Sequence, residues 1–212
     1  MNVSIDAGCA PDRASTARIG PNAITRVAEA LFEHVGTGVT HALFSAAGLL
    51  EYLRAPPQDM VDEVEVSRLH RTLRVGLDRA TVREVTRNAG VRTARYLLAR
   101  RIPRVVQALL KVLPAPWAAR VLLSAIRRHA WTFAGSGVFT AQPGRPVVLT
   151  LQGNPLCRGV SDDEPVCSYY AATFEHLFRV LVHPQARVVE TACEARGDPL
   201  CRFEVGWADS PG

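Results

Sequence analysis

The chain has 212 residues, 48% of them hydrophobic, which is enough to bury the core of one domain of ordinary size. It has no long uncharged apolar run and no basic-then-apolar N-terminus, so we predict neither a membrane span nor a secretory signal and expect a cytoplasmic protein. The net charge of +5 comes from residues 85–161, which hold twelve of the 25 Lys and Arg and none of the 20 Asp and Glu. Such a segment suits anionic lipid, nucleic acid, an acidic protein or a carboxylate ligand.

Helical patterns follow a polar N-terminal stretch. Residues 1–20 predict a flexible tail, and residues 21–84 predict a helical N-terminal part. Within and after it we expect helices over 21–35 and 40–54, one capped by Asp62, one capped by Asp78, an amphipathic one over 93–113, and one over 117–129. Pro103 should kink or divide the amphipathic helix.

The pattern changes after Trp131. Residues 132–144 are rich in glycine and small residues, and short strands are predicted over 147–151, 187–191 and 202–205. A helix is predicted over 167–182, and Gly197-Asp198-Pro199 forms a turn between the last two strands. The fold class is therefore α+β, with a helical part followed by a short antiparallel sheet flanked by helices.

Four of the five cysteines lie in the last 56 residues, and the odd number argues against a disulfide framework. Cys193 and Cys201 flank the turn, Cys167 begins a helix whose dipole favours a thiolate, and the Glu190 carboxylate can join them if the backbone bends there. We predict a zinc site at Cys167, Glu190, Cys193 and Cys201. Buried free cysteines explain the spacing equally well. Cys157 is a spare candidate ligand, and Cys9 belongs to the tail.

Residues 167–170, 189–193 and 197–203 resemble the 4-vinyl reductase domain family. The resemblance covers residues 85–206, leaves 207–212 as a tail, and implies a small-molecule-binding domain. In ligand-sensing relatives, the aromatic-responsive transcription activators, this pattern binds zinc through three Cys and one Glu. These residues match Cys167, Glu190, Cys193 and Cys201.

Further motifs at residues 18–24, 101–103 and 129–137 resemble a protein family of bacteriochlorophyll biosynthesis. The family name implies reduction of a vinyl group on a magnesium tetrapyrrole. No dinucleotide-binding glycine pattern or closely spaced iron–sulfur cysteines are present, and Gly135-Ser136-Gly137 is interpreted as a turn. A closed shell of three thiolates and one carboxylate makes the zinc structural.

Three functions therefore remain open. The first is a protein that binds a vinyl-bearing magnesium tetrapyrrole of the divinyl protochlorophyllide type and presents it to a pathway enzyme. The second is the 4-vinyl (8-vinyl) reductase itself, working with an external reductant. The third is a dimeric interaction module, as in the related vesicle-tethering subunits.

The acid-free segment supplies the predicted ligand site, because a tetrapyrrole needs an apolar cleft with cations for its carboxylates. The candidate residues are Arg100, Arg101, Arg104, Arg127, Arg128, His129 as axial ligand, Trp131 and Phe133, with Phe139 beside them. A solvated helix face and an ordinary core account for them as well. The related modules imply a homodimer, and the basic amphipathic segment is a candidate for contact with the photosynthetic membrane. Its cations do not form a stripe with stacking aromatics, so we expect no nucleic-acid partner.

Overall fold

The computed structural model describes residues 17–208. Its helical part begins with a two-residue strand and ends with a short helix before the sheet. The elements in chain order are β1 (Arg18–Ile19), α1 (Asn22–His34), α2 (Gly36–Ala46), α3 (Glu51–Arg54), β2 (Val61–Asp62), α4 (Glu63–Gly76), α5 (Arg79–Arg100), α6 (Arg104–Val112), α7 (Ala115–Arg128) and α8 (Trp131–Ala134). None of the helices described over residues 17–208 has the length and apolar character needed to cross a bilayer.

Local capping sets several of these boundaries as predicted. The side chain of Asp62 accepts a hydrogen bond from the backbone N–H of Val64 at 2.8 Å, and that of Asp78 accepts from Thr81 N at 3.0 Å. Pro103 divides the amphipathic segment into α5 and α6 rather than kinking one helix. The helix predicted over 40–54 is wrong, because the chain leaves α2 at Ala47 and turns at Gly48, whose φ of +65° suits glycine.

The tail prediction divides at residue 17. Residues 1–16, including Cys9, lie outside the described residues, as do 209–212. Arg18 and Ile19 belong to β1, which pairs antiparallel with β2, and Ile19 is buried. The N-terminal end of the described chain is thus part of the helical core.

The sheet has four antiparallel strands in the order β3-β4-β6-β5. Their bounds are β3 (Val138–Gln142), β4 (Val147–Gln152), β5 (Arg187–Ala192) and β6 (Cys201–Gly206), and α9 (Ser168–Leu181) precedes β5. Leu149 on β4 and Phe203 on β6 face each other across the ladder and are fully buried. Strand β3 was not predicted, because its flanking glycines indicated a loop; its residues alternate in burial and form a hairpin with β4.

Helix α9 lies between the sheet and α5. A Cβ placed on Gly90 of α5 would lie 2.3 Å from the carbonyl oxygen of Tyr169 on α9, so only glycine permits this approach. The hydroxyl of Thr173 donates to the carbonyl of Gly90 at 3.1 Å. This contact fixes α9, and with it the start of the sheet, against the helical part.

The predicted turn at Gly135-Ser136-Gly137 is present and holds a buried carboxylate. Glu63, at the start of α4, accepts hydrogen bonds from Ser136 N at 2.8 Å and Ser136 Oγ at 2.9 Å, and it pairs with Arg158. Gly135 has a φ of +59°, and a Cβ there would lie 2.1 Å from the Glu63 carboxylate. The turn therefore joins α4 to the segment that leads into β3.

Candidate metal centre

Four buried cysteine sulfurs meet at one point beside the sheet. Cys157 ends a 3-10 turn after β4, Cys167 caps α9, Cys193 follows β5 and Cys201 begins β6. All four are free thiols, and their sulfurs lie within 4.8 Å of one another. Three separate connections of the C-terminal half thus end at the same cluster.

The spacing of the sulfurs suits a tetrahedral ion. The distance is 3.4 Å from Cys157 to Cys167, 3.5 Å to Cys201 and 3.7 Å to Cys193, and Cys167 lies 3.7 Å from Cys201 and 4.0 Å from Cys193. Sulfurs around a zinc ion, each bonded at about 2.3 Å, would lie about 3.8 Å apart. The four thiols therefore fit a zinc-type metal, and a shell of four sulfurs leaves no open position.

The turn after β5 shapes half of the cluster. The 3-10 turn Glu194–Arg196 ends at Gly197, whose φ of +89° is left-handed. The backbone N–H of Cys193 donates to Asp198 Oδ2 at 2.8 Å, which closes the loop between the two cysteines. The predicted Gly197-Asp198-Pro199 turn thus brings Cys193 and Cys201 together.

Asn154, which the sequence analysis did not single out, supports the sulfurs. It is fully buried, and its side-chain amide donates to Cys167 Sγ at 3.1 Å and to Cys201 Sγ at 3.2 Å. Its own backbone N–H donates to Glu194 at 2.8 Å. Such donors stabilise negative charge on sulfur and orient the ligands of a metal. The only local signal was the Asn154-Pro155 dipeptide, which is typical of a turn.

Glu190 lies next to the cluster, behind Cys167. One carboxylate oxygen accepts a hydrogen bond from the backbone N–H of Cys167 at 2.9 Å, and the other is buried without a hydrogen-bond partner among the described residues. A β-bulge between Glu190 and Ala192 supplies the backbone bend that the sequence analysis required. The structure thus brings three of the predicted ligands together with Cys157, and Glu190 as a ligand stays a prediction.

The electrostatics of the cluster favour a bound cation. Burial raises the pKa of the Cys167 thiol, and burial together with the neighbouring Cys193 raises the pKa of Glu190 to about 9. A cluster of thiolates is therefore unfavourable here without a compensating positive charge. A divalent metal supplies that charge and would bind the deprotonated sulfurs, which couples metal binding to the folding of the region.

The predicted ligand-binding residues occupy the surface of α5 to α8. Arg100, Arg101 and Arg104 lie at the junction of α5 and α6; Arg127, Arg128 and His129 lie at the end of α7; and Trp131 lies in α8; all are exposed. Phe133 is half-buried and packs edge-on against Phe139, with 5.1 Å between ring centroids. Two clefts, of about 620 and 410 Å³, are lined by other residues, including Arg18 and Tyr52 in the first and His41 in the second.

The metal cluster and Phe133 are connected through aromatic rings. Tyr170 and Phe174 lie on α9, which begins at Cys167, and Phe203 lies two residues after Cys201. Phe133 is 6.0 Å from both Tyr170 and Phe174, and Phe174 is 5.7 Å from Phe203. We call Phe133, Phe139, Tyr170, Phe174 and Phe203 the aromatic wall. Its outer members, Phe133 and Phe139, are accessible to a ligand.

Comparison with known proteins identifies the C-terminal part. The family model of the vinyl-4-reductase domain matches residues 147–207. This match starts at β4 and contains all four clustered cysteines. The boundaries predicted for the larger domain, 85–206, stay a prediction.

Solved structures share the fold. An H-NOX protein from K. algicida superposes with a TM-score of 0.58 at 8% identity, covering 90% of this chain and 97% of that one. A second H-NOX-family protein, studied for heme distortion, superposes with a TM-score of 0.57 at 11% identity, covering 92% and 97%. At this level of identity the likeness shows a common fold alone.

Two curated proteins match along most of their length. The bacteriochlorophyll synthase 23 kDa chain of Cereibacter sphaeroides is 45% identical over 188 residues, which cover 89% of this chain and 90% of that protein. The protein of the same name from Rhodobacter capsulatus is 37% identical over 188 residues, covering 88% and 85%. With the domain match, these similarities confirm the resemblance drawn from the motifs: the chain belongs to the family of the bacteriochlorophyll synthase 23 kDa chains and carries its vinyl-4-reductase domain.

Proposed function

We propose that the chain takes part in bacteriochlorophyll biosynthesis by binding a vinyl-bearing magnesium tetrapyrrole and presenting it to a pathway enzyme. The observation that carries this proposal is the 45% identity to a bacteriochlorophyll synthase chain over nearly the whole length. The fold supports a flat macrocyclic ligand, because an H-NOX-family protein of the same fold was studied for its heme. The ligand is taken to be of the divinyl protochlorophyllide type.

The accessible side of the aromatic wall suits the macrocycle. Phe133 and Phe139 are half-buried, so each presents part of a ring to solvent while the rest packs on Phe174. Trp131, two residues before Phe133, is 61% exposed. A flat apolar ring system gains free energy by covering such surfaces, and aromatic faces favour stacking.

The end of α7 suits the polar edge of the ligand. Arg127 and Arg128 are exposed, and neither pairs with a carboxylate in the described part of the chain. Guanidinium groups bind carboxylates with two parallel hydrogen bonds, so this pair is our candidate for the tetrapyrrole carboxylates. His129, directly after them, is the candidate axial ligand of the magnesium.

The metal centre would act on this site indirectly. A zinc-type ion supplies a structural cross-link between four sulfurs, and no open coordination position remains for chemistry. Cys167 and Cys201 place α9 and β6, and these two elements carry the inner members of the aromatic wall. Loss of the ion should therefore loosen the wall and weaken pigment binding without removing any residue that touches the pigment.

Absorption titration of divinyl protochlorophyllide tests the proposal. The wild-type chain should shift the absorption bands and saturate at one pigment per site. Arg127→Gln with Arg128→Gln should weaken binding roughly tenfold or more, since each charge-assisted hydrogen bond contributes about 1.5–3 kcal/mol. Arg187→Gln, which changes an exposed arginine of β5, is the matched control. An unshifted spectrum in the wild type, or equal affinity in all three proteins, contradicts the proposal.

A further inference from the structure

The outer surfaces of α6 and α7 expose large apolar side chains. Val105 is 81% exposed, Leu109 54% and Val112 79% on α6, and Trp117 is 59% and Val121 45% exposed on α7. We call these five residues the outer face. Contiguous exposed apolar surface of this kind is typical of an interaction site.

Helical periodicity separates the outer face from the core. Val105, Leu109 and Val112 follow one another at intervals of four and three residues, so they share one side of α6. Trp117 and Val121 are four residues apart on α7, whose opposite side buries Leu122 and Ile126. The outer face is therefore a second apolar surface on helices that already have a buried one.

Cations without carboxylate partners surround the outer face. The basic residues in this region are Arg100, Arg101, Arg104, Lys111, Arg120, Arg127 and Arg128. Among residues 17–208, none of them pairs with a carboxylate, whereas Arg79, Arg83 and Arg92 of α5 each do. The guanidinium of Arg120 lies over the ring of Trp117, 5.2 Å from its centroid. Cations and apolar residues are thus interleaved on one surface.

We propose that the outer face docks on an anionic lipid bilayer. Apolar side chains can enter the boundary of the acyl chains while Arg and Lys extend to the lipid phosphates, and tryptophan is enriched at that depth. A second copy of this chain fits poorly, because a symmetric interface would bring the same unpaired cations of two protomers together. Nucleic acid would leave the valines and leucine without a favourable contact.

Sedimentation with vesicles tests this directly, and it needs no pigment, so its outcome is independent of the tetrapyrrole proposal. The full chain is mixed with vesicles of phosphatidylcholine alone and with vesicles containing roughly one third phosphatidylglycerol. Binding is expected only to the second, with strong weakening at about 0.5 M salt because the charges are then screened.

Variants separate the two contributions. Lys111→Gln with Arg120→Gln should lower partitioning about 25-fold, since each cation near an anionic surface contributes about fivefold. Leu109→Ser with Trp117→Ser should lower it at least about tenfold through lost apolar insertion. Val75→Ser and Arg187→Gln, which change exposed residues on α4 and β5, should bind like the wild type.

Several results would overturn the proposal. One is the absence of binding to the anionic vesicles, and another is equal binding of all variants. Self-association that Leu109→Ser abolishes, without vesicle binding, would assign the outer face to a second copy instead. If the apolar double variant fails to fold, the charge variant alone still decides, because its two side chains are exposed.

Discussion

His70 lies at the junction of three helices and should make the protein sensitive to mild acid. It is fully buried on α4, contacts the ring of Tyr169 on α9 edge-on at 5.9 Å, and has Nε2 3.4 Å from the carbonyl oxygen of Ala23 on α1. Its Nδ1 has no hydrogen-bond partner among the described residues. Burial, and to a lesser extent the charge of Arg74, lowers the pKa of His70 to about 3.

The sign and size of the effect follow from that pKa. Above pH 6.5 the imidazole is neutral in both folded and unfolded chains, and the full stability is present. Below pH 6.5 the unfolded chain binds a proton that folded His70 does not, so stability falls progressively as pH decreases toward about 3. At pH 5, about 1.5 pH units below the unfolded pKa, the loss is about 2 kcal/mol.

Urea unfolding at about pH 7.5 and about pH 5 measures this loss. The wild type should lose about 2 kcal/mol more than His70→Leu between the two pH values, whatever the absolute stability of the variant. His41→Gln changes an exposed histidine and should behave like the wild type. The reasoning is refuted if His70→Leu and the wild type lose the same free energy on acidification.

Further predictions concern the metal centre and the helix contact. Metal analysis should find one zinc per chain, lost together with stability in Cys193→Ser; fully folded protein that binds no metal would contradict the centre. Cys157→Ser and Glu190→Gln, compared for metal content, identify the fourth ligand, and the sulfur spacing predicts the larger loss in Cys157→Ser. Gly90→Ala should destabilise by about 1–3 kcal/mol in thermal unfolding, because the new methyl group meets the Tyr169 carbonyl; an unchanged melting temperature would show that α5 and α9 separate at no cost.

Local signals predicted much of the helical part. Asp62 and Asp78 are side-chain caps, and the division at Pro103 follows from the ring that blocks a helical hydrogen bond. The failures are equally local. Strand β3 depends on pairing with β4, which no property of residues 138–142 alone reveals, and β1 and β2 are too short for a periodic signal.

The candidate site was predictable where a turn determines it. Cys193 and Cys201 are joined by a tight turn, so their approach could be inferred from the short stretch of sequence between them. Cys157 reaches the cluster through a loop with no periodicity, and Asn154 supports it only because β4 ends beside β6. Tertiary pairing, rather than spacing, therefore sets the fourth corner of the tetrahedron.

The central claim is that the chain binds a magnesium tetrapyrrole without reducing it. It is tested most directly by incubating the purified chain at saturating concentration with divinyl protochlorophyllide and NADPH, then recording the absorption spectrum and the mass of the recovered pigment. A shifted spectrum with unchanged pigment mass is the predicted result. A gain of two hydrogen atoms by the pigment would contradict the account and assign the reductase activity to this chain.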